Sequence, residues 1–86
     1  MQFVFTDKVY KEMQKNKKFK NDLVNSIKKY CKMDFGDLQK EEKIKNKMAI
    51  ETGNSFYGYY KLSYGKIYIS TIADKSVTTI NFNKIN

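Results

Sequence analysis

Lys66-Ile-Tyr-Ile-Ser-Thr-Ile-Ala-Asp-Lys-Ser-Val-Thr-Thr-Ile-Asn-Phe82 is the stretch that decides the fold. Two runs of Ile, Val, Thr and Tyr flank the polar break Ala73-Asp74-Lys75-Ser76. β-Branched and aromatic side chains suit a pleated, half-buried surface, and an Asp in a short polar break accepts backbone N–H bonds in a turn. The stretch therefore predicts a β-hairpin. In its first arm Ile67, Ile69 and Thr71 share one face and Tyr68, Ser70 and Ile72 the other. In the second, Thr78, Ile80 and Phe82 alternate with Val77, Thr79 and Asn81. Both faces carry apolar residues, so alternation leaves the inner face open.

One step upstream, residues 55–62 alternate Phe56, Gly58, Tyr60 and Leu62 with Tyr57, Tyr59 and Lys61, and Ser63-Tyr64-Gly65 allows a tight turn into the hairpin. The same parity expects Tyr57, Tyr59 and Tyr68 on one face, flanked by Lys61 and Lys66. Aromatic rings beside lysines can stack unpaired bases. Tyrosines are equally the currency of protein interfaces.

Before this sheet the period changes from two to 3.6. Residues 39–51 read as a helix, with Ile44 and Met48 inward and Ala49 and Leu38 as further candidates. Gln39 and Glu42 stand at capping-box spacing, and Gly53-Asn54 supplies a helix stop. Asp34-Phe35-Gly36-Asp37-Leu38 is a turn-like linker. From about residue 18, the spacing of Phe19, Leu23, Val24, Ile27, Tyr30 and Cys31 predicts an apolar helix stripe, with Lys28, Lys29 and Lys32 on the solvated side. A first short helix carries Val9, Tyr10 and Met13, and Thr6 or Asp7 can cap it. Phe3-Val4-Phe5 is a strand candidate. The fold expected is a single α+β domain over residues 1–86: a three- or four-stranded antiparallel meander with two or three helices on one face.

Composition narrows the function. The 86 residues carry 17 basic and 9 acidic side chains, for a formal charge of +8, with no His. Every basic residue is Lys. That field attracts phosphate, yet Lys, Asn, Ile and Tyr abundant together with Arg absent is also what AT-rich codon usage produces. The charge is greatest over residues 1–33, at +6, against −1 for residues 34–52 and +3 for residues 53–86. Lys17, Lys18, Lys20, Lys28, Lys29 and Lys32 are the candidate nucleic-acid contacts. A lone cysteine, Cys31, makes no intramolecular disulfide and reads as a small core residue. No apolar run approaches the roughly 20 residues of a membrane span, and Thr6-Asp7 interrupts any leader-like segment; the expectation is a cytoplasmic protein with no membrane partner.

Chemistry-bearing clusters are few. Asp34, Asp37, Glu41 and Glu42 have oxygen ligands for a hard cation but no recognised loop spacing, so no metal is assigned. Asp74, Lys75 and Ser76 read as turn chemistry rather than a general base beside a hydroxyl. With no His, no phosphate loop and no nucleophile motif, neither catalysis nor a cofactor is expected.

Several of these residues fall into a pattern: Asp34-Phe35-Gly36-Asp37-Leu38, then Glu41-Glu42, Asn46 and Gly53, then Tyr59 or Tyr60, Lys66-Ile67-Tyr68-Ile69 and Asp74-Lys75-Ser76-Val77-Thr78-Thr79-Ile80. From Thr6 to Ile80 the chain resembles a widespread family of small, mostly uncharacterised proteins of plasmids, phages and integrative elements. The family pattern is Gly-Asp-Trp-Gly-Asp-Leu, an acidic pair, an Asn, a Gly, Lys-x-Trp-Ile-Ile-Thr and Asp-Arg-Ser-Val-Thr-Thr. Here Phe35 and Tyr68 replace the two Trp, Lys75 replaces the Arg, and the closing Leu-Pro-x-x-Tyr is absent. Lys75 can act only as a point charge where Arg offers a planar fork.

The resemblance implies a mobile-element protein. The expected function is that of a non-catalytic binding protein that blocks a host protein or nucleoprotein complex, in its sharpest form an inhibitor of a CRISPR or restriction system. Its candidate contacts are Asp34, Asp37, Tyr57, Tyr59, Tyr68, Asp74 and Lys75. The alternatives are an accessory protein that binds RNA or DNA through the Lys helices and the Tyr sheet, and a ribonuclease-type toxin, disfavoured by the missing His and Arg. Asp37 and Lys75 are expected to pair, joining linker to hairpin turn.

Overall fold

A computed structural model describes residues 2–83; Met1 and residues 84–86, Lys84 of the charge count among them, lie outside the described residues. The order is β1(Gln2–Phe5), α1(Asp7–Lys15), α2(Lys17–Cys31), α3(Lys40–Glu51), β2(Phe56–Lys61), β3(Lys66–Thr71) and β4(Val77–Asn81). The strands form one sheet in the order β1-β4-β3-β2. β2, β3 and β4 are the expected antiparallel meander, with Tyr60 opposite Ile67 and Ile69 opposite Ile80.

The sheet is mixed rather than purely antiparallel, because β1 pairs with β4 in parallel, Phe3 beside Thr78 and Phe5 beside Ile80. Strand directions then make β1 and β2 parallel at opposite edges. Such strands can be joined only by a crossover, and all three helices lie in it.

The inner face left open by the sequence is now fixed. Tyr60, Ile67, Ile69, Thr71, Thr78 and Ile80 are buried there, beneath Val9 of α1 and Phe19, Leu23 and Tyr30 of α2. Asn16 caps α2, its Oδ1 accepting from the Phe19 N–H at 3.0 Å. Two aromatic groups close the core. Phe19, Tyr64 and Phe82 meet at centroid distances of 5.4 to 6.0 Å. Tyr30, Phe35 and Phe56 meet at 5.7 to 6.0 Å. Between them the Tyr30 hydroxyl lies 2.6 Å from Thr71 Oγ1, which lies 2.8 Å from Thr78 Oγ1. The threonines thus bury their hydroxyls as one bonded chain, which is how polar groups become tolerable in a core.

Several helix expectations need correction. Val24, Cys31 and Tyr10 are exposed, because α1 and α2 press narrower stripes on the sheet than their apolar residues suggest. In α3, Ile44 and Met48 are 50 % and 59 % exposed and Asn46 is buried. That helix docks on the outer edge of β2, so its inward line is Glu42, Asn46 and Ile50. The Gln39 side chain makes no cap bond, and Glu42 turns instead to the Tyr57 hydroxyl.

Burial pushes the Tyr30 hydroxyl up to about 12, and burial, then the nearby Asp34 charge, pushes Tyr60 higher still. A tyrosine in the unfolded chain ionises near 10.0. The folded values lie above it, so this contribution to stability is complete below pH 10 and is lost as pH rises toward the folded values. The melting temperature should fall between about pH 10 and 12, with phenolate absorbance of the buried tyrosines appearing together with unfolding. A melting temperature flat across that interval contradicts the burial.

Candidate binding surface

The sheet face turned away from α1 and α2, with α3 along its β2 edge, carries Tyr57 and Tyr59 of β2, Tyr68 and Ser70 of β3 and Thr79 of β4. Register builds it: Tyr59 is opposite Tyr68, Tyr57 opposite Ser70, and Ser70 opposite Thr79. Tyr59 and Tyr68 stack at 4.9 Å and 28°, and Tyr57 lies 6.4 Å from Tyr68. All three rings are half-buried. Lys61 and Lys66, a register pair, close one end. The three tyrosines expected to share a face do so.

The Tyr57 hydroxyl donates to the Glu42 carboxylate, and burial, followed by that bond, pushes the phenol up to about 12. Beside Tyr57, a groove of about 570 Å³ opens between α3 and the ends of β2 and β3. Lys45, Ala49, Ser70 and Ile72 contribute to its walls, and Ile72 is 46 % exposed. Ser70 Oγ is buried without a hydrogen-bond partner. An unsatisfied buried hydroxyl costs about 1–3 kcal/mol. Ser70 and Ile72 were not singled out by sequence reasoning, and Glu42 only as a helix-cap or cation-ligand candidate. The alternation of Tyr68, Ser70 and Ile72 was the available signal.

The remaining candidates lie elsewhere. Asp34 Oδ1 accepts from the Gly36 N–H at 3.0 Å, and Asp37 Oδ2 accepts from the Lys61 N–H at 2.8 Å. Both shape the linker that lines the outer edge of β2. Asp74 Oδ1 accepts from the N–H and hydroxyl of Ser76, at 2.9 and 2.7 Å, and those bonds hold its carboxyl below the usual range. Lys75 takes a left-handed conformation in this turn (φ 63°). The expected Asp37–Lys75 pair does not form. Asp37 sits at the Lys61–Lys66 end of the hairpin, whereas Lys75 follows Thr71 at the other end.

The lysines of α2 also separate from the tyrosines. Lys17, Lys18 and Lys20 at its start and Lys28, Lys29 and Lys32 at its end are exposed on a helix that covers the opposite sheet face. Lys18 is engaged with Asp22 at 3.4 Å. Tyr face and Lys helix therefore cannot act as one continuous surface. The acids Asp34, Asp37 and Glu42 are likewise turned to separate partners, and no group among the described residues gathers three metal-ligating side chains. No helix among them is long and apolar enough to cross a membrane.

Comparison with known proteins finds no matching family model, curated protein or solved structure.

Proposed function

We propose that this chain is a non-catalytic binding protein that docks the tyrosine-bearing sheet face, opposite α1 and α2, on a protein partner and acts by occupying it stoichiometrically. The observation that carries this reading is the Tyr57–Tyr68–Tyr59 cluster beside the groove holding the unpartnered Ser70 hydroxyl. Tyr59 and Tyr68 stack on one another, so each has given one face to its neighbour, which leaves less open ring face for unpaired bases and favours a protein surface. Aromatic anchors with buried apolar neighbours are the usual centres of binding energy.

The resemblance to mobile-element proteins suggests the class of partner: a component of a host defence complex, with a CRISPR or restriction system as the sharpest form. Such a role needs only a complementary surface, in keeping with the absence of His and Arg from the chain.

The test is capture by the tagged chain from host-type lysate, with nuclease present, in parallel with Tyr68→Ala. A partner should survive nuclease and elute as a defined complex. Tyr68→Ala should weaken it by roughly 30-fold, the equivalent of about 2 kcal/mol for a central anchor, while melting within a few degrees of the parent. Loss of the partner on nuclease treatment, or equal affinity of the variant, overturns the proposal.

A further inference from the structure

The first helix contributes three lysines that the reading of α2 passed over. Lys8, Lys11 and Lys15 line a groove of about 550 Å³ that also takes in the exposed ring of Tyr64. On the other side of the helix, Lys15, Lys17 and Lys20 line a second groove, of about 570 Å³, with Tyr10. Lys15 borders both. Of the carboxylates on α1, Asp7 is exposed in the first turn, whereas Glu12 is 6 % exposed, held by Lys15 at 3.5 Å and by the Tyr64 hydroxyl. Asp22 is engaged by Lys18 and Ser63.

We propose that the grooves flanking α1 bind a single strand of nucleic acid, with Lys8, Lys11, Lys15, Lys17 and Lys20 on phosphates and Tyr10 and Tyr64 against unpaired bases. Five lysines on a concave surface complement a polyanion, and each phosphate engaged releases counterions. Tyr10 and Tyr64 are 54 % and 51 % exposed, an apolar area that water solvates poorly and an unstacked base covers. A duplex keeps its base faces stacked inside, so the rings favour a single strand. Along α1, Lys8 and Lys15 stand about 10 Å apart, room for successive phosphates. The site lies on the helical side of the molecule, independent of the tyrosine sheet face.

Binding of a fluorescent mixed-sequence oligonucleotide, as single-stranded RNA, single-stranded DNA and duplex, tests this across a salt series. The variant Lys8→Gln/Lys11→Gln/Lys17→Gln spares the Lys15–Glu12 pair. It is compared with Lys28→Gln/Lys29→Gln/Lys32→Gln, which removes equal charge from the far end of α2. The groove variant should bind single strands at least tenfold more weakly, with a salt slope lower by about 2. The distal variant should stay within about threefold of the parent, by the weakness of screened distant charges. Tyr10→Ala, which deletes an exposed ring, should cost about tenfold. Equal losses in both lysine variants would reduce the effect to net charge and overturn the site. So would duplex binding as tight as single-strand binding, or no binding of the parent with a protein captured on these residues instead.

Discussion

Gly36→Ala should lose about 4 kcal/mol or more of stability, a loss on the scale of the whole stability of a domain this size. Gly36 has φ +76°, and a Cβ there would stand 2.3 Å from the Tyr59 carbonyl oxygen and 2.5 Å from the Tyr60 ring. The carbonyl cannot yield, since it accepts the Asp37 N–H at 2.7 Å, while the Tyr59 N–H donates to Phe35 at 3.1 Å. Nor can the ring, whose hydroxyl donates to the Asp34 carbonyl at 2.7 Å. Relief requires lifting the linker off β2, which breaks these bonds and uncovers Phe35. Gly53 supplies the control: its φ is +75°, but nothing lies within 4 Å of an added Cβ. Gly53→Ala should therefore cost only about 1 kcal/mol, the backbone penalty alone. Denaturant unfolding of both variants checks this, and equal losses would refute the close approach at Gly36.

Asn46→Ala should cost about 2–4 kcal/mol, from two hydrogen bonds at roughly 1–2 each with partly buried backbone partners. Asn46 is 4 % exposed. Its Nδ2 donates to the Tyr57 carbonyl at 2.6 Å, and its Oδ1 accepts from the Tyr57 N–H at 3.3 Å. The side-chain amide thus stands in for a neighbouring strand. With Phe35 and Asp37 serving Tyr59, and the Asp37 carboxylate serving Lys61, the outward backbone of β2 is covered along its length. Exposed strand edges template aggregation, so the variant should also aggregate more on heating. Asn46→Asp should be worse than Ala, because it sets a carboxylate oxygen against the Tyr57 carbonyl, near Glu42. An Asp variant as stable as the parent would contradict the bonding.

These two residues mark where the sequence stopped being legible. The meander and its two faces followed from the alternation between Phe56 and Phe82, because a period of two survives in any strand buried on one side. Four residues of the α2 stripe, Phe19, Leu23, Ile27 and Tyr30, followed from the same logic at 3.6, while Val24 and Cys31 did not. The seat of α3 did not. Ile44 and Met48 carry the helical spacing of a buried face, yet the inward line is Glu42, Asn46 and Ile50, two of them polar, so no apolar periodicity marks it. The linker also concealed its role, since a loop that pairs with a strand looks like any other polar turn. The parallel placement of β1 depends on the crossover route, which no local pattern encodes. At the candidate surface, the three tyrosines were legible from parity. The neighbouring Ser70 hydroxyl and the α3 groove became visible only when helix and sheet were set side by side.

Whether a partner docks on the tyrosine-bearing sheet face can be read from the tyrosines themselves. Oxidative footprinting of the chain, free and in its captured complex, reads Tyr59 and Tyr68 on that face against Tyr10 and Tyr64 on the helical side. Docking through the sheet face should protect Tyr59 and Tyr68 in the nuclease-treated complex, with Tyr10 and Tyr64 unchanged. Protection of Tyr10 and Tyr64, with Tyr59 and Tyr68 as reactive as in the free chain, would contradict it.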